Sequence, residues 1–261
     1  MRVGADVYVL LGLLAAVGCD KKKDEAALAP SASALEVSKG SASVVHYDVQ
    51  KDGKTSIDMP GVKEHIKADT TASEGKLDVD LMDLTKSVGE VKVDLTTLKT
   101  HTFTDNDKND AQTGHARNWM EVGSDYTKDA IEKYKWAVFA IRSIDNVSQA
   151  DITKVVATSK DGEDVRTVTL TGHGEILVHG HAAKKDIPME ARFYWPAGAK
   201  PETKPSRIVF ATKTPIRVTL KEHDVRPRDT SGKLLDWTTS LISKVAETAD
   251  ISFEMTAKPT A

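Results

Sequence analysis

Few residues in this chain have types and spacings that could do chemistry. His179 and His181 are two apart and His173 shares their parity, so on one strand all three imidazoles would face one side, as a zinc site needs. Ile176 and Val178 have the opposite parity and are apolar. That turns their face to a core and the histidines to water, and no metal is expected there. Asp105, Asp107 and Asn109 fit positions 1, 3 and 5 of a calcium loop, but Asp110 stands where the loop needs Gly and Ala116 where it needs a bidentate Glu. A solvated acidic turn is the expectation. Cys19 is the single cysteine, so neither an internal disulfide nor a multi-cysteine metal site can form. The chain has no G-x-S-x-G, H-E-x-x-H, P-loop or G-x-G-x-x-G motif. No catalytic residue is assigned and no enzyme is expected. A net charge of −3 gives no electrostatic footprint for nucleic acid.

Cys19 follows an uncharged run, Val7 to Val17, that is too short to span a bilayer and suits the core of a secretory signal. Ala16-Val17-Gly18-Cys19 resembles the lipobox of bacterial lipoproteins. The resemblance implies that residues 1–18 are a signal peptide and that Cys19 is lipidated, giving a membrane anchor in the cell envelope. Several acyl chains are needed for this, because one chain binds a bilayer only marginally. Residues 20–43 follow, with Ala, Ser, Gly and Pro at 13 of 24 positions. Such a segment cannot offset its ordering entropy and reads as a flexible tether, about 27 Å long as a coil. Residues 44–261 are the expected folded domain.

That domain must be built from strands. Leu77, Val79 and Leu81 alternate with Asp78 and Asp80, and Val91, Val93 and Leu95 with Lys92 and Asp94. The same period runs through Met189, Ala191, Phe193 and Trp195, through Ile216, Val218 and Leu220, and through Ile251, Phe253 and Met255. Period two puts one face on a core and the other in water. Asp52-Gly53, Pro60-Gly61 and Asp161-Gly162 punctuate the runs. About eleven runs are present, some of them halves of long bent strands. Two helices are expected, over Thr127–Tyr134 and Gly232–Glu247, and Arg117 and Trp119 are expected in an irregular surface loop. No helix follows each strand, so the fold class is all-β, an antiparallel sheet that must close or stack to protect its edges.

The order of five stretches carries a family resemblance: Gly75–Thr100, His115–Val122, Lys133–Ile144, Val168–Trp195 and Ile251–Lys258. Together they resemble the YceI-like family of bacterial periplasmic proteins. The resemblance implies an extended lipocalin-like barrel of about eight long strands that carries a polyisoprenoid, a quinone-like lipid or a similar amphiphile in its interior. The implied partners are that lipid and the membrane, with a homodimer also allowed. Val79, Val93, Phe103, Trp119, Phe139, Ile141, Val178, Phe193, Phe210 and Phe253 are the candidate ligand contacts. With only fourteen aromatic residues in the whole chain, rings to plug the interior are few. A five-carbon unit gains roughly 4 kcal/mol on leaving water for such a channel, at 0.8 per methylene. The competing expectation is an envelope barrel with a filled core that serves structure or protein contacts and holds no lipid. The state of the interior discriminates the two.

Overall fold

The period-two runs form strands whose apolar positions turn inward. The computed structural model describes residues 43–60, 65–228 and 247–261. The signal peptide, Cys19, the tether up to residue 42 and the expected helix up to residue 246 lie outside the described residues. Thirteen strands share one antiparallel sheet. They are β1 (Val44–Val49), β2 (Lys54–Pro60), β3 (His65–Thr70), β4 (Ser73–Asp80), β5 (Val88–Asp94), β6 (Lys99–Thr100), β7 (Trp136–Asp145), β8 (Thr158–Lys160), β9 (Glu163–Val178), β10 (His181–Pro196), β11 (Arg207–Thr212), β12 (Ile216–Thr219) and β13 (Thr248–Pro259).

Hydrogen bonding runs β1-β4-β5-β7-β9-β10-β11-β13, and β13 pairs back to β1 through Tyr47↔Pro259 and Val49↔Ala257. The sheet is thus a closed ring of eight. Several strands are halves of longer staves. β1 and β2 both pair with β13, so Asp52-Gly53 interrupts one stave rather than reversing it. At that break a Cβ on Gly53 would lie 2.3 Å from Ser73 Oγ, so only glycine lets the staves approach so closely. β11 and β12 likewise pair with successive parts of β13. Closure removes the edges that an open sheet of this length would expose.

The two ends of the barrel differ. At one end Leu84 and Ile152, each on a short 3-10 turn, are fully buried and join Leu77, Val79, Ile141, Met189, Phe193 and Phe210 in a packed core. The turns are pinned across the end by Leu84 N–H to Ala150 O and Ile152 N–H to Leu81 O. At the other end the ladders part. Pairing between β10 and β11 stops at Met189↔Thr212, and no pairing joins β10 to β12 among the described residues. The gap is filled by a 3-10 turn, Leu220–His223. On the opposite side β6 is backed by helix α1 (Asn106–Trp119). Thr100 N–H donates to Thr113 Oγ1, and the Arg117 guanidinium donates twice to Leu98 O.

α1 corrects the sequence reading. Asp105 does not belong to an acidic turn: its carboxylate caps the helix by accepting from Asp107 and Lys108 N–H. Arg117 and Trp119 lie on α1, not in a loop. The helix carries almost no apolar stripe, so its periodicity is invisible in the sequence. The shorter helix α2 (Lys128–Tyr134) is where it was expected, capped by Thr127.

Candidate ligand cavity

Where the ladders part, the barrel is hollow. A cavity of about 570 Å³ lies between the staves, α1 and the Leu220–His223 turn. Its wall is largely aliphatic, including Ile57, Val91, Leu95, Ala137, Ile216 and Ala249. No Asp, Glu, Lys, Ser or Cys is among the described lining residues. The packed end retains a void of only about 60 Å³, lined by apolar residues and Ser87. Phe193, Phe210, Met189, Leu170 and Leu84 meet across one end, whereas at the other α1 and the Leu220–His223 turn stand in for the missing ladder pairing and leave space between the staves.

The ten candidate contacts divide between these spaces. Val93, Trp119, Phe139, Val178 and Phe253 line the large cavity. Val79, Ile141, Phe193 and Phe210 line the small void and act as core. Phe103 lines neither; its backbone N–H and C=O are held by the Asn109 side chain, which fixes the loop before α1. Alternation finds the inward face but not the depth along the barrel, so it mixes the two ends.

The cavity also has polar members that the sequence reading did not single out: Thr55, Thr70, Gln112, His115, Asn118, His223 and Arg228. Thr55 and Thr70 are register partners on β2 and β3, both buried and, among the described residues, without a hydrogen-bond partner. His223 is fully buried, and its Nδ1–H donates to the carbonyl oxygen of His181 at 2.8 Å. Burial holds this imidazole below the usual histidine range, which favours the neutral ring at neutral pH. Arg228 is ion-paired to Glu121 at 3.1 Å and to Asp224 at 2.9 Å.

His179 is a correction. It is 3% exposed, not on a solvated face. The strand ends at Val178, and His179 (φ 49°) with Gly180 (φ 78°) makes the two-residue turn into β10. Positive φ at both positions is what such hairpin turns demand. Strand parity stops applying there, and the imidazole turns in, 4.3 Å from the Tyr134 ring and 3.3 Å from a Glu121 oxygen. Desolvation lowers its pKa. His173 lies elsewhere, half-buried between Asp145 and Asp186 at 2.7 Å from each. The three histidines therefore do not converge. His179, His181 and Asp224 do come together, with ligating atoms within 4.8 Å of one another. However, both Asp224 oxygens are already taken by Arg226 and Arg228, which puts two cations where a metal would need carboxylate charge. The donor set therefore fits a metal poorly.

No protein-family model matches the chain, and no curated protein matches it. Solved structures similar to it include Burkholderia cenocepacia BcnA, at 14% identity and TM-score 0.47, covering 79% of this chain and 96% of that one. A polyisoprenoid-binding domain from Saccharophagus degradans, implicated in plant cell wall breakdown, is similar at 10% identity and TM-score 0.49, over 83% of this chain and 99% of that one. A YceI protein from Campylobacter jejuni is similar at 12% identity and TM-score 0.40, over 74% of this chain and 85% of that one.

Proposed function

We propose that this protein is a non-enzymatic carrier that binds an isoprenoid or similar amphiphilic lipid in the open end of its barrel. One observation carries the reading: a closed β-barrel leaves about 570 Å³ empty between apolar staves, within the 300–1,000 Å³ typical of small-molecule sites. A protein interior normally excludes such space, because unfilled apolar volume forfeits contacts on every side. The filled core of the competing reading is present at one end of the barrel only. We further propose that lipidated Cys19 tethers residues 44–261 to an envelope membrane, so that the barrel stores or moves the lipid close to its source. No helix among the described residues is long and apolar enough to cross a membrane.

Native mass spectrometry of the purified protein, followed by solvent extraction, tests the reading. A stoichiometric adduct that extracts into organic solvent is expected. Protein that stays empty after incubation with isoprenoid alcohols, quinones and fatty acids overturns it.

A further inference from the structure

Besides the two threonine hydroxyls, the residues of the cavity wall include a ring nitrogen with no hydrogen-bond partner among the described residues. His181 O can only accept, so the proton of the neutral His223 ring sits on Nδ1. Nε2 is then a lone pair. It is buried and has no partner among the described residues, and His223 is one of the residues that line the cavity. A buried acceptor without a partner is costly, and native structures keep few of them without a use. The position is fixed from outside the cavity, because the bond to His181 holds the ring across the gap between β10 and β12. Charge around it is balanced. Arg228 on the same wall is committed to Glu121 and Asp224. Glu222, Lys185 and His181 are the titratable groups that bear on the ring.

We propose that His223 reads the head of the ligand: Nε2 accepts a hydrogen bond from a hydroxyl, so the cavity takes long-chain alcohols in preference to their ethers and phosphates. An alcohol donates to Nε2 and leaves no charge buried. An ether has no proton to give. A phosphate brings two or more negative oxygens to a wall whose guanidinium is already neutralised. This inference rests on the reading of the cavity as a lipid site.

The test compares three probes with one tail, farnesol, farnesyl methyl ether and farnesyl phosphate, on the full chain by calorimetric titration. Farnesol is expected to bind about tenfold tighter than the ether, the scale of one hydrogen bond to an otherwise unsatisfied buried group. In His223→Leu the alcohol and ether should bind equally. In His223→Asn, whose amide can both donate to His181 O and accept from a hydroxyl, the preference should survive. If His223→Leu does not fold, the nitrogen-15 resonance of His223 Nε2 in the wild type decides: it should shift on adding farnesol and not on adding the ether. Equal wild-type affinity for alcohol and ether overturns the assignment while leaving lipid binding standing, as does tighter binding of the phosphate. Binding of none of the three overturns both readings.

Discussion

Thr55 stands directly opposite Thr70 across β2 and β3; both residues line the cavity, and both hydroxyls are buried without a partner among the described residues. Each is a cost, because a buried hydroxyl without a protein partner loses the bonds it makes to water in the unfolded chain. The double variant Thr55→Val, Thr70→Val should therefore be more stable than wild type by about 1 kcal/mol or more. That corresponds to a rise in Tm of about 2–4 °C per kcal/mol for a chain of this size, read by calorimetry. Wild-type stability greater than that of the variant would mean that the hydroxyls are satisfied.

The contrast between the barrel ends predicts opposite responses to overpacking. Ala191 lines the small void and Val93 the large cavity. Ala191→Phe should cost about 1–3 kcal/mol, because a packed core must shift to admit a ring. Val93→Phe should cost little, since its ring enters empty space, but should weaken uptake of the fluorescent apolar probe N-phenyl-1-naphthylamine. Denaturation midpoints and probe titrations of the two variants check both halves.

Histidines should give opposing pH dependences. Burial lowers the pKa of His179 and His223 in the fold below the ordinary value of 6.5, so the unfolded chain binds more protons in acid. The stability linked to them is complete above the unfolded pKa and is lost as pH falls through and below it. Bonds to Asp186 and Asp145 raise the pKa of His173, so its contribution is complete below the unfolded value and fades as pH rises through the folded one. His173→Gln should thus cost more at about pH 5 than at about pH 8, and His179→Gln the reverse. Denaturant midpoints at the two pH values check the signs.

The N-terminal proposal makes a prediction outside the barrel. Cys19→Ser removes the only thiol, and with it any thioether-linked lipid. The variant should move from the membrane to the soluble fraction, with unchanged binding of farnesol by the barrel. Equal membrane association of both forms would remove the anchor from the account.

The chain by itself determined the local geometry. Alternation at 77–81, 91–95, 189–195 and 251–255 fixed strands and inward faces, because period two needs only the pleat. Gly162 and Thr127 marked a turn and a helix start through their own backbone and side-chain preferences. Only the tertiary structure decided which inward residues meet the large cavity and which meet each other. Phe193 and Val178 look alike in the sequence, yet one packs a core and the other faces open space. That depends on where the ladders part, a property of all eight staves together. His223 and His181 are 42 residues apart, and the bond between them exists because a gap in the sheet is bridged by a turn. His179 escaped strand parity because two positive φ angles ended the strand one residue earlier. Periodicity belongs to single segments; hollowness, and the polar atoms left on its wall, follow from how the segments close on one another.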